Sequence, residues 1–248
     1  MPFGARLTSV IGRRIDDASL ILPERLREIA RKATTHALSA AMAASLKTLR
    51  NVEKAPSRRL HQALAVTSGA AGGAFGFVSL PVELPVSTMI LLRSIADIAR
   101  AEGEDLSRPD AALACIEVFA LGSHAKDDDF LSSSYFAMRA LLARSISEAA
   151  QYVAATATAS QTAPVILRLV NQIAARFGIA VTQKIMAQAV PVLGAAGGAA
   201  INYAFLHHFQ SLATGHFTMR RLERKYGAER VRKYYESIQA TDLNKQTI

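Results

Sequence analysis

Gly69-Ala-Ala-Gly-Gly-Ala74 recurs as Gly194-Ala-Ala-Gly-Gly-Ala199, and each copy lies in a stretch without formal charge, Ala63–Val82 and Ala187–Leu206. Glycine pairs at spacing four, Gly69/Gly73, Gly72/Gly76 and Gly194/Gly198, lay a stripe free of side chains along one helix face. A second backbone approaches such a face closely, as helices do in bilayers. The repeat therefore specifies close helix packing rather than chemistry. Beyond the repeat, the chain is rich in Ala, lacks Trp and holds only 6% aromatic residues. That composition favours helix, because Ala loses no side-chain entropy there and the residues that mark sheet are scarce. The expectation is an all-α helical bundle with two Gly-rich, closely packed apolar helices, the first in a proline-bounded hairpin.

The layout along the chain agrees. From Pro23-Glu24, the residues Leu26, Ile29, Ala33, Ala37, Ala41 and Ala44 recur at helical spacing, which predicts an amphipathic helix ending near Asn51. Lys54–Arg59 reads as a linker. The first Gly-rich helix is expected to stop around Pro81-Val-Glu-Leu-Pro85, where two prolines break the hydrogen-bond ladder. A returning helix over about 86–102 ends at Gly103, a C-cap, and Arg108-Pro-Asp110 starts another that ends at Gly122. Helices over 131–152 and 164–188 follow, then Pro191 introduces the second Gly-rich helix. A basic helical region over 205–235 is expected to be interrupted near Gly215 and Gly227. These elements make an N-terminal segment 1–22, one helical domain 23–235 with a soft internal boundary at 154–163, and a flexible tail 236–248.

Charge is unevenly spread. Residues 1–62 hold twelve Lys/Arg against five Asp/Glu, residues 63–206 nine against eleven, and residues 207–248 eight against four. Basic ends around an apolar middle suit an anionic lipid surface. Nucleic acid is not an expected partner, since no basic run with interleaved aromatics and no nucleic-acid-binding signature is present. Residues 1–14 lack the apolar run of a secretory signal, so the chain is expected in the cytoplasm, and its basic ends are expected to associate it peripherally with the inner face of the cytoplasmic membrane. The single Cys115, among apolar neighbours, reads as core, and no internal disulfide can form. The two uncharged stretches reach the ~20 residues that span a bilayer, but they are Ala/Gly-rich and contain or adjoin proline. Buried core or shallow embedding is expected instead.

Glu83-Leu-Pro-Val86 after the first Gly-rich motif, Leu92–Leu106 with its Glu102-Gly-Glu-Asp105, and Leu113-Ala-Cys-Ile-Glu-Val-Phe-Ala-Leu-Gly122 together resemble the EcsC family of bacterial proteins. So do Gly194–Asn202, His208-Phe-Gln210 and Gly215–Gly227, and the resemblance covers about 25–235. It implies a helical domain and, through the family's namesake gene lying beside those of an ABC transporter, an accessory role in transport or envelope processes. It supplies no catalytic residues.

Motifs that carry chemistry are scarce. No nucleophile elbow is present, and no Gly-Lys-Ser/Thr follows either glycine motif, so a hydrolase triad and a phosphate loop both lack their central feature. His208 and His216 share a helix face but stand about 12 Å apart along the axis, too far for one metal. Asp127-Asp-Asp129 lacks the calcium-loop pattern. No metal and no cofactor are expected. The polar residues that stand out are Glu83, alone among apolar neighbours, then Arg93, Asp97 and Arg100 at spacings of four and three. Pairing of Arg93 with Asp97, or capping of the bend by Glu83, is the structural expectation, and a ligand-binding or proton-handling carboxylate the functional one. The function expected is that of a non-enzymatic membrane-associated or interaction protein, with an anionic membrane surface, a membrane protein or a second copy as partner. The alternative is a soluble enzyme or ligand-binding protein with a site around Glu83, Asp97, His208 and His216.

Overall fold

A computed structural model describes residues 24–48, 58–75, 79–122, 133–156, 163–188 and 194–246. All regular structure among them is α-helical: α1 Glu24–Thr48, α2 Arg58–Phe75, α3 Leu80–Ala101, α4 Pro109–Leu121, α5 Ser133–Thr156, α6 Pro164–Gln188, α7 Gly194–Tyr226 and α8 Ala228–Gln246. Segment 1–22, Gly76, Phe77 and Val78, Asp127–Asp129, most of the 154–163 boundary and Pro191 lie outside the described residues.

Helix α4 sits at the centre. It is apolar on every side, residues 111–122 are all buried, and α1, α3, α5, α6 and α7 pack around it. A helix hydrophobic all round belongs inside a fold, and here the charges are Asp110 in its first turn and Glu117 in its buried run. Phe119 meets Phe177 of α6 edge-on at 4.9 Å and Phe209 of α7 at 5.7 Å, so aromatic contacts join three helices at the centre. One buried apolar cluster runs from Ala30 to Val231.

Three local details differ from the sequence-based expectation. Pro81 and Pro85 do not end a helix; α2 stops at Phe75, and both prolines lie in the first turns of α3, Pro81 where amides have no helical acceptor to lose. Gly215 does not interrupt α7, because a single interior glycine costs only about 1 kcal/mol and its neighbours His216 and Phe217 are fully buried. The break falls at Gly227, whose φ of +86° favours glycine. Helix α8 continues to Gln246, within the stretch expected as a tail. Gly103, by contrast, caps α3 as expected: its φ is +81°, and the Gly103 and Glu104 amides donate to the Arg100 and Ala99 carbonyls at 2.9 Å each.

Ala63–Val82 divides between α2 and α3, and Ala187–Leu206 between α6 and α7. The described helix long and apolar enough to cross a membrane is α6, and its stripe of Ile166, Leu169, Ile173, Phe177, Val181 and Ile185 is buried in the core.

Interhelical contacts fix the helix directions. Ser94 of α3 and Glu104 of the turn that follows it meet Gln210 and Arg220 of α7, so α3 and α7 run the same way. Gly72 and His61 of α2 meet Glu83 and Asp97 of α3, so α2 runs opposite to both. The end of α2 and the starts of α3 and α7 therefore share one end of the bundle, which holds both copies of the repeat. Ser45 donates to the Ala112 carbonyl at 2.7 Å, anchoring the last turns of α1 beside the start of α4 at the opposite end. The first turns of α1 carry Arg25, Arg27, Arg31 and Lys32.

Candidate functional site

The glycine-rich end is built by backbone contact. A Cβ placed on Gly69 would overlap the Gly198 carbonyl and approach the Asn202 side chain to 2.6 Å, so α2 and α7 touch where the two repeats cross. Asn202 donates to Ser68 Oγ at 3.3 Å across the same contact. Gly72 serves a different purpose. A Cβ there would overlap the Glu83 carboxylate, so this glycine opens space for a charged group. Gly73 and Gly194 are helical as expected.

Glu83 is buried, and its partner comes from a distant helix. Lys184 Nζ of α6, with no exposed surface, lies 2.8 Å from Glu83 Oε1 and donates to Ser87 Oγ at 3.4 Å. Gln188 Nε2 donates to both Glu83 oxygens at 3.1 and 3.4 Å. Lys184 also stands 5.2 Å from the centre of the Phe205 ring. Burial pushes the ammonium's pKa down, and Glu83 opposes that shift. Sequence reading missed Lys184, although it falls on the apolar stripe Ile173, Phe177, Val181 and Ile185, a position where a lone cation needs a partner.

The other residues singled out by sequence do not converge. Asp97 pairs with Arg100 at 3.1 Å and lies 3.5 Å from His61 Nδ1, while Arg93 is exposed and is not its hydrogen-bonded partner. Burial raises the Asp97 carboxyl to about 6 against the pull of Arg100 and Arg93, and burial lowers His61. His208 Nε2 lies 3.3 Å from the Gly122 carbonyl. His216 Nδ1 lies 3.1 Å from the Tyr135 hydroxyl, and Nε2 lies 3.8 Å from Glu117. Glu83 and Asp97 stand fourteen residues apart on one helix, roughly 21 Å along its axis. Glu83, Asp97, His208 and His216 thus occupy separate places. No group of three or more His, Cys, Asp or Glu arranged to hold a metal is found among the described residues.

At the opposite end, charge is dense and paired. Glu104 accepts two hydrogen bonds from Arg220, at 2.9 and 3.1 Å, and one from Arg224. Burial pushes its pKa up, and the two guanidiniums more than offset this. Arg221 pairs with Glu102 at 3.1 Å, and Arg224 donates to the Glu102 carbonyl at 2.8 Å. Arg139 of α5 clasps Glu223 at 2.7 and 2.9 Å. The acidic turn after α3 and the arginine-rich end of α7 therefore fold onto each other.

Such a molecule is an all-α bundle segregated along its axis, glycine-packed around one buried ion pair at one end and densely ion-paired at the other. The chain belongs to the EcsC protein family, whose model matches residues 6–222. No curated protein and no solved structure matches it.

Proposed function

We propose that this protein is a non-enzymatic, membrane-associated member of its family that seats its glycine-rich end in the surface of an anionic membrane, at the cytoplasmic face. The observation that carries the reading is the axial segregation. At the glycine-rich end Val82 is 70% exposed and Val86 44%, and Ala71, Pro81 and Ala195 are exposed beside them. Its buried charges, Glu83 and Lys184, neutralise each other internally. An exposed apolar patch of this kind marks a lipid or protein contact. The basic first turns of α1 supply a second signal, and shallow insertion needs two weak signals acting together.

Flotation with vesicles tests this. The protein is expected to float with phosphatidylserine-containing vesicles, less with neutral ones, and less again at high salt. Val82→Asp/Val86→Asp should lower binding about tenfold or more, since each valine withdrawn from water contributes about 1.5–3 kcal/mol. Both residues are exposed, so folding is unaffected. Equal binding to both vesicle types, or binding undiminished in the double variant, would reject the reading.

A further inference from the structure

A second feature lies at the charged end, away from the proposed membrane contact. An open cavity of about 600 Å³ runs between α4, α5, α7 and α8. One wall is apolar: Phe136, Ala140, Ala143, Ile146 and Ala150 of α5. The polar lining is Asp110 and Glu117 of α4, Arg139 of α5, Arg220 and Glu223 of α7, and Glu229 and Arg232 of α8, with Ser147 and Gln151. The three arginines are engaged: Arg139 by Glu223, Arg220 by Glu104, and Arg232 by Glu236 at 2.9 Å. Asp110 is held by Arg108. Glu117 and Glu229 remain, with no Lys or Arg ion pair among the described residues. Glu117 is 5% exposed and accepts no hydrogen bond among them; 3.8 Å away stands His216 Nε2, itself without a hydrogen-bond partner. A buried carboxylate left unpaired is costly, and a ligand that supplies a donor removes that cost.

We infer that this cavity binds an organic ammonium compound with an apolar body, its cationic nitrogen on Glu117 and its body against the α5 wall. The charge left unpaired in the lining is negative, which selects a cation over an anion. The apolar wall selects an amphipathic molecule over a bare ion. Glu229 on the rim adds attraction for the same charge. The carboxylate form of Glu117 is the binding form. Burial pushes its pKa up to about 7, against Arg139 and Arg220, while His216 is held well below its ordinary value by burial and by the same two arginines. Tyr135 is raised by burial, so between pH 6 and 8 it and His216 stay neutral while Glu117 titrates. A proton therefore competes with the ligand as pH falls through about 7.

Calorimetric titration with n-octylammonium, octanoate and 1-octanol tests the assignment on the full chain. Octylammonium is expected to bind at pH 8, with affinity falling toward tenfold per unit below pH 7 and with proton release on binding near pH 7. Glu117→Gln should weaken binding about thirtyfold or more. Ala143→Phe, which narrows the apolar wall and leaves Glu117 in place, should block binding with the helical circular dichroism unchanged, so the proposal stays testable if the first variant unfolds. Octanoate or octanol binding as tightly as octylammonium, undiminished binding by Glu117→Gln or Ala143→Phe, or no binding by octylammonium would each overturn it.

Discussion

Lys184→Met is expected to destabilise the protein by about 3–5 kcal/mol, because it leaves Glu83 charged and buried without its cation. Lys184 has no exposed surface, so water cannot replace it without opening the contact between α3 and α6. Gln188 alone offers the carboxylate hydrogen bonds but no charge. The double variant Glu83→Leu/Lys184→Met should recover most of the loss, since exchanging a whole buried pair for apolar residues of similar volume is often neutral or stabilising. Urea unfolding of the three proteins measures this. A single variant within about 1 kcal/mol of the wild type, or a double variant no better than the single, would show that the pair does not hold this end together.

Gly69→Leu is expected to cost more than the ~1–3 kcal/mol usual for an overpacked core. The obstacle is the Gly198 carbonyl, a piece of backbone that cannot rotate away as a side chain would, with Asn202 on its other side. Gly178→Ala is the contrast within the same fold. Nothing lies within 4 Å of a Cβ there, so this variant should gain about 0.5–1 kcal/mol from helix propensity alone. Equal melting temperatures for Gly69→Leu and Gly178→Ala would contradict the close approach of α2 and α7.

These two sites show what sequence reading could reach. The close contact at Gly69 and Gly198 was legible, because a side-chain-free stripe has one physical use, and the repeat pointed to both partners. The cap at Gly103 was legible for a similar reason, since the residue following a periodic helix and ending it in the left-handed region favours glycine. Gly72 was misread as packing alone. Its role depends on Glu83, eleven residues away across a bend, and no local periodicity encodes that. Arg93 seemed the partner of Asp97 because spacing four places both on one face. Arg100 at spacing three takes that place, and His61 of α2 adds a contact that only tertiary structure supplies. Glu117 lay in a run of apolar residues read as core. The cavity beside it forms from four helices separated in sequence, and nothing in α4 alone predicts an opening.

One end of the bundle is to meet lipid and the other water, and an environment-sensitive label measures which does so directly. Cys115 is buried and its thiol is pushed up to about 12 by burial, so a nitrobenzoxadiazole label goes to an introduced cysteine. Val82→Cys places the label at the glycine-rich end, and Arg221→Cys places it at the ion-paired end. On adding phosphatidylserine-containing vesicles, the label at position 82 should shift to the blue and brighten, while that at position 221 stays as in water. No change at position 82, or the same change at both positions, would contradict the account.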